Sequence, residues 1–188
     1  SSLSRNVHTG HLTLMNKEWR RHELVGNELK GKTLGVVGLG KIGREVIKRA
    51  LSYDMKIIGY DPFVNQEMFD QEVVEIVNIE RLTKTSDFIT LHVPLIESTR
   101  DLFNLDRIKK MKKTARIINV ARGGIVNELD LSHALNNDII SGAAIDVFEN
   151  EPLDASHPFM KTKNLLITPH LGASTFEAKE GVSIGICQ

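Results

Sequence analysis

Three short segments in the second half of this 188-residue chain hold side chains that could do chemistry together. Asn119-Val120-Ala121-Arg122-Gly123-Gly124 ends one apolar run with an arginine and two glycines. Asp146-Val147-Phe148-Glu149-Asn150-Glu151-Pro152 ends the next in carboxylates, and Thr168-Pro169-His170-Leu171-Gly172-Ala173 ends the last with a histidine. An arginine offers a planar fork that grips a carboxylate and polarises a neighbouring carbonyl. A histidine, with an ordinary pKa of about 6.5, takes a proton from an alcohol or gives one to a ketone near neutral pH. A carboxylate behind the ring orients it and stabilises its protonated form. Spacing does not separate Glu149 from Glu151 for that part. With a nicotinamide at hand, this set suits hydride transfer between the cofactor and a 2-hydroxy acid. A Ser–His–acid hydrolase fits less well, because no G-x-S-x-G elbow occurs.

The carrier is foreshadowed earlier in the chain. Gly38-Leu39-Gly40-Lys41-Ile42-Gly43 is a G-x-G-x-x-G loop placed directly after an apolar run and before a helical pattern. Gly38 permits a tight turn, Gly40 lets backbone N–H groups approach a pyrophosphate, and Gly43 lets the helix pack closely on the strand. The helix N-terminus then presents partial positive charge to the phosphates. Asp61 follows 18 positions after Gly43, at the end of the next apolar run. A carboxylate there accepts hydrogen bonds from the adenosine ribose and repels a 2′-phosphate, by about 4 kcal/mol for unit charges 4 Å apart at an effective dielectric of 20. The next residue is Pro62 rather than an arginine, so NAD is expected over NADP.

These groups need a frame. Thr33–Val37, Lys56–Tyr60, Val73–Val77, Phe88–Val93, Arg116–Val120, Ala143–Val147 and Leu165–Thr168 read as strands. Helical spacing links Ile42, Val46, Ile47, Ala50 and Leu51, and covers about Ile79–Thr85, Leu105–Met111 and Glu128–Asn136. Strands alternating with helices predict an α/β fold: a Rossmann-type, doubly wound parallel sheet with right-handed crossovers. Asn127 can cap the helix after it, and Ser174-Thr175-Phe176-Glu177 is a capping-box pattern opening a final helix. Ligands of such sheets bind beyond the carboxyl ends of the strands, where the three reactive segments fall. Residues 1–31 differ: they are polar, contain Trp19, and read as an arm or helix ahead of a dinucleotide-binding domain over residues 32–188.

Composition excludes other classes. Hydrophobic residues make up 41% and charged residues 26%, which is ordinary for a globular chain and unlike a disordered, collagenous or disulfide-knotted one. Twenty-four Lys and Arg balance 24 Asp and Glu, so no basic excess points to nucleic acid. Cys187 is the only cysteine, which excludes an internal disulfide and suits a cytoplasmic home. No apolar run reaches the roughly 18 residues of a membrane span. The His8 and His11 pair lacks further ligands, so no metal is expected.

Together, Gly38-x-Gly40-x-x-Gly43, Tyr60-Asp61-Pro62, Asn119 to Gly124, Gly142 to Phe148 with Glu151-Pro152, and Pro169 to Thr175 resemble the D-isomer-specific 2-hydroxyacid dehydrogenases over nearly the whole chain. The resemblance implies that Arg122 binds the substrate carboxylate, His170 is the acid/base and Glu151 is its partner. It further implies that Lys41 and Ile42 line the pyrophosphate and Asp61 holds the ribose. His92, Val93 and Pro94 would edge the adenosine pocket, and Val120 and Ala121 would contact the nicotinamide side. Asp146 would hold the carboxamide, and Gly172 would approach the cofactor through its backbone. The His-Leu-Gly-Ala-Ser-Thr tail and Gly31-Lys32-Thr33-Leu34-Gly35 look most like the branch acting on a phosphorylated 2-hydroxy acid, D-3-phosphoglycerate, in serine synthesis. Glyoxylate and hydroxypyruvate reductases are its neighbours, and NAD(H)-sensing corepressors keep the same Arg, Glu and His. Members of the family place a cofactor domain inside a substrate domain built from both chain ends. The chain is therefore expected to be the cofactor half, binding NAD, turning over poorly by itself, and forming a homodimer or higher homo-oligomer through the cofactor domain, with the arm as a dimer contact.

Overall fold

A computed structural model describes residues 1–178; the remainder of the last helix signal, Cys187 and Gln188 lie outside them. Seven strands form one parallel sheet: β1 (Thr33–Val37), β2 (Lys56–Tyr60), β3 (Glu75–Ile76), β4 (Phe88–Leu91), β5 (Arg116–Asn119), β6 (Gly142–Ile145) and β7 (Leu165–Ile167). Their order is β3-β2-β1-β4-β5-β6-β7, so the winding reverses between β1 and β4. Ligands of doubly wound sheets bind at that reversal.

Alternation along the strands feeds two cores. β1 gives Leu34 and Val36 to one core and Val37 to the other. The first core is closed by helix α2 (Lys41–Leu51) through Ile47 and Ala50. The second lies under α3 (Ile79–Thr85), α4 (Leu105–Ile108) and α5 (Glu128–Asn136), with Leu82, Ile108, Leu131 and Leu135 fully buried. Gly35 is required on that face, since a Cβ there would meet Ser86 Oγ at 2.3 Å and Leu82 at 2.8 Å. Asn78, Asn104 and Asn127 start α3, α4 and α5 by accepting from the backbone N–H three residues on. Each cap satisfies a donor that the helix itself leaves open.

Several expectations shift. β3 is two residues long rather than Val73–Val77, because an edge strand pairs only where β2 runs beside it. The predicted helix Leu105–Met111 closes at Ile108, and the lysines beyond it pair sideways: Lys110 with Glu80, and Lys112 with Asp87. The last described helical turn opens at residue 176 with Thr175, not Ser174, accepting from Ala178 N–H at 3.0 Å. Residues 1–31 contain a helix, α1 (Val7–Met15), followed by irregular chain with one 3-10 turn (Arg21–Glu23) that returns so that Ser4 Oγ–H donates to Asn27 O at 2.5 Å. α1 leaves Val7, Leu12, Leu14 and Met15 exposed, so no apolar stripe marked it in the sequence. Among the described residues, no helix is long and apolar enough to cross a membrane.

Candidate active site

Register decides what meets at the carboxyl edge. Val37 pairs with Tyr60 and Leu91; Leu91 pairs with Asn119, Asn119 with Ile145, and Ile145 with Ile167. These six residues form one row across the sheet. The residues that follow them are Gly38, Asp61, His92, Val120, Asp146 and Thr168. Parallel strands in this register bring distant segments to one edge, each strand end about 4.8 Å from its neighbour's.

At the β1 end, Gly38 has φ +94°, and a Cβ would meet His92 O at 2.4 Å. Gly43 sits so close that a Cβ would come within 2.1 Å of Gly38 O. Gly40, by contrast, has nothing within 4 Å of a would-be Cβ and lies exposed beside Lys41 and Ile42 at the start of α2. The loop is therefore folded around two obligatory glycines and leaves open space at the third. That geometry fits a dinucleotide pyrophosphate on the helix N-terminus. Asp61 accepts from Leu39 N–H at 2.9 Å through Oδ2 and from Phe63 N–H at 3.0 Å through Oδ1. Its carboxylate thus ties the glycine loop to the β2 end and keeps lone pairs for a ribose hydroxyl.

Ile42, His92, Val93, Pro94, Val120, Ala121 and Arg122 line one groove of about 270 Å³. Ile42 is 65% exposed, although its spacing suggested a sheet-facing position; it sits in the first turn of α2, past the end of the sheet. Burial pushes His92 down to about 4, so the ring is neutral at physiological pH, with Nε2 on Thr90 Oγ1 at 3.0 Å. Val120 also edges a second groove of about 270 Å³, shared with Asp146 and Gly172.

Asp146 is buried at 5% exposure. Oδ1 accepts from Thr168 Oγ1–H at 2.5 Å and Leu171 N–H at 2.8 Å, and Oδ2 accepts from Gly172 N–H at 2.8 Å. Burial works against its charge, but these donors outweigh burial and hold the carboxyl below its ordinary range. The expected carboxamide contact is therefore not the only use of Asp146: it builds the loop that carries His170. That loop needs building, because His170 has φ +54°, a left-handed conformation that non-glycine residues adopt at a cost.

His170 Nδ1–H donates to Glu151 Oε2 at 2.7 Å, while Glu151 Oε1 accepts from Phe148 N–H at 2.9 Å. The His170 hydrogen bond, then that of Phe148, holds the Glu151 carboxyl below the usual range. With Nδ1 engaged, Nε2 is the ring nitrogen left for a substrate proton. Glu149 instead pairs with Arg100 at 3.2 Å in solvent, which resolves the choice that spacing left open. Glu151, His170, Phe148, Leu153, Met160 and Ile167 border an apolar groove of about 390 Å³ that shares no residue with the groove beside Arg122.

Arg122 is exposed and donates to Ala121 O at 2.6 Å. Its turn is set by a residue sequence reasoning passed over. Asn119 is buried, accepts from Ala121 N–H at 3.1 Å and donates to Arg122 O at 2.9 Å. The signal was present, since an Asn at a strand end favours such a local turn. Gly123 then lies against the acid segment: a Cβ would be 2.0 Å from Phe148 C and O. The Arg122 turn and the Glu151 segment thus share a backbone-to-backbone contact. Among the described residues, no group of three or more His, Cys, Asp or Glu could hold a metal ion.

The chain is similar to known proteins in sequence and in fold. Residues 1–172 match the family described as D-isomer specific 2-hydroxyacid dehydrogenase, NAD binding domain. A D-3-phosphoglycerate dehydrogenase from Methanocaldococcus jannaschii is 47% identical over 94% of this chain, which spans only 34% of that protein. A glyoxylate reductase from Thermofilum pendens is 44% identical over 88% of the chain and 49% of its own length. The crystal structure of an NAD-dependent formate dehydrogenase from Staphylococcus aureus in complex with NAD superposes with a TM-score of 0.91 at 33% identity, covering 98% of this chain and 56% of that one. The chain belongs to the family of D-isomer specific 2-hydroxyacid dehydrogenase NAD binding domains.

Proposed function

We propose that this chain is the cofactor-binding part of an enzyme that interconverts D-3-phosphoglycerate and its 2-oxo acid. The observation that carries the chemistry is the 2.7 Å His170–Glu151 hydrogen bond on the strand edge that also holds the glycine loop. When bound, NAD supplies the nicotinamide ring that accepts or donates the hydride. Gly38, Gly40, Gly43, Lys41 and Ile42 would hold its pyrophosphate and Asp61 its ribose. His92, Val93 and Pro94 would border the adenosine, and Val120, Ala121, Asp146 and Gly172 the nicotinamide side.

The chain's own residues then do three things. Arg122 presents its free guanidinium N–H groups to the substrate carboxylate and carbonyl. His170 removes the hydroxyl proton during oxidation, or returns it during reduction, at Nε2. Glu151 keeps the opposite nitrogen protonated and stabilises the imidazolium formed in oxidation. The phosphorylated substrate is supported by the similarity to phosphoglycerate dehydrogenases and by the His-Leu-Gly-Ala-Ser-Thr tail. The similarity to a glyoxylate reductase keeps smaller 2-oxo acids as the second reading.

The deciding experiment assays the full-length protein with NADH against phosphohydroxypyruvate, hydroxypyruvate and glyoxylate. The highest kcat/KM is expected for the phosphorylated acid; a preference for glyoxylate would overturn that assignment. His170→Ala should lower turnover by about 10²- to 10⁴-fold while NADH affinity stays within a few fold. Wild-type turnover in that variant would refute the acid/base role.

A further inference from the structure

Behind the His170–Glu151 pair lies a second His–Glu pair. Glu128, the first residue of α5, and His157 are both largely buried, and Glu128 Oε2 lies 3.1 Å from His157 Nε2. The other carboxylate oxygen, Oε1, accepts from Glu149 N–H at 2.8 Å. His157 is itself fixed: Nδ1 accepts from Phe159 N–H at 3.3 Å, and the ring packs edge-on against Phe159 at 4.7 Å. Phe159 in turn packs on Phe148. A carboxylate in the first turn of a helix is commonly explained by the helix dipole alone. That explanation requires neither of these two contacts.

The peptide held by Glu128 is the one that matters for the site. Phe148–Glu149 is gripped on one side by Glu128 and abutted on the other by Gly123, whose absent Cβ would stand 2.4 Å from Glu149 N. One bond earlier, Phe148 N–H donates to Glu151 Oε1. The position of this peptide therefore sets where Glu151 Oε2 meets His170, and how far that pair stands from the Arg122 turn.

We infer that Glu128 is a positioning residue for the acid/base: braced by His157, it fixes the Phe148–Glu149 peptide and through it the Glu151–His170 hydrogen bond. The inference rests on the dehydrogenase reading for its catalytic meaning, but its structural content stands apart from it. The tautomers make the brace exacting. His157 Nδ1 accepts, so Nε2 carries the proton and requires an acceptor, and Glu149 N–H requires another. Only a carboxylate supplies two acceptors. Glu128→Gln is nearly isosteric, yet places an amide NH₂ against one of two donors. A switch of the His157 tautomer merely moves the conflict to Phe159 N–H.

The test uses Glu128→Gln with two readouts. In the full-length enzyme, kcat should fall about tenfold, as displacements well under 1 Å do at an acid/base site, with NADH Kd within twofold of wild type. In the 188-residue chain, the ¹⁵N resonances of the His170 ring should move from a single Nδ1–H tautomer toward a mixture. A kcat within twofold of wild type, or an unchanged His170 tautomer, overturns the inference. So does a parallel loss of kcat and NADH affinity, which would report general damage to the fold. If the wild-type enzyme reduces no 2-oxo acid, the dehydrogenase reading fails, and the ring readout alone decides whether Glu128 holds the Glu151–His170 contact.

Discussion

Replacing Gly123 with alanine tests how tightly the substrate-binding turn and the acid segment are coupled. The added Cβ would lie 2.0 Å from Phe148 C and O and 2.4 Å from Glu149 N. Ordinary contact needs about 3.4 Å, so the two backbones must part by about 1.4 Å. No flexible side chain stands between them to absorb the change. Phe148 is buried and packs on Phe159, and Glu149 N–H is held by Glu128. Overpacking of this kind typically costs about 1–3 kcal/mol. The displacement also moves Arg122 relative to His170, and misplacement by about 1 Å typically lowers rates about 10²-fold. The nearest atoms to the added Cβ belong to Phe148 and Glu149, and none belongs to the glycine loop. Gly123→Ala should therefore lower the urea midpoint of the chain and reduce kcat/KM of the full-length enzyme about 100-fold, with NADH Kd within threefold of wild type. Isothermal titration with NADH, steady-state kinetics and urea melts on the same preparations check this. Wild-type kcat/KM in a folded variant would refute the argument that this contact sets the spacing of Arg122 and His170. A matching loss of NADH affinity would show that the two ends of the edge are not independent.

Other substitutions separate folding from binding. Gly40→Ala meets no atom within 4 Å and keeps an allowed backbone (φ −70°, ψ −166°), so stability should change by less than about 0.5 kcal/mol while NADH affinity falls at least tenfold. Asp61→Ser should narrow the preference for NADH over NADPH and also weaken NADH binding, because Leu39 N–H loses its carboxylate; titration with both cofactors reads each effect. His92 is held down to about 4 by burial, whereas the unfolded chain protonates it near 6.5. The unfolded state therefore binds the extra proton on acidification, and stability falls between pH 6.5 and about 4. The loss is at most about 3 kcal/mol before solvent screening. Urea melts of His92→Gln should show a flatter slope in that window than wild type, and an unchanged slope would refute the assignment. We propose that the arm over residues 1–31 joins two copies, and light scattering of the chain should give a mass near twice 21.0 kDa.

Much of this protein was legible before any coordinate. Short apolar runs and period-3.6 patterns placed all seven strands and three of the helices within about two residues at either end, because apolar faces must be buried in both elements. The glycine loop was legible because its three glycines have separate steric causes, and two of them appear as contacts of 2.4 and 2.1 Å that no side chain could tolerate. Arg122 and His170 stood out through residue type and position at strand ends, with Glu149 and Glu151 left as alternatives for the acid. Edges that depend on a neighbour were not legible: β3 is cut to Glu75–Ile76 by the reach of β2. A helix was one of two readings for residues 1–31, but the bounds of α1 were not legible, since its exposed apolar residues carry no helical stripe.

Local chemistry and order along the chain were thus determined by the sequence alone, since turns, caps and apolar periods act over a few residues. The pairing of Glu151 rather than Glu149 with His170, the second use of Asp146 in shaping the His170 loop, and the brace from Glu128 belong to the tertiary structure. Each depends on which strand ends fall into one row. That row, from Val37 and Tyr60 across to Ile167, is fixed by hydrogen-bond register between residues 22 to 54 positions apart, a distance over which no sequence period carries information.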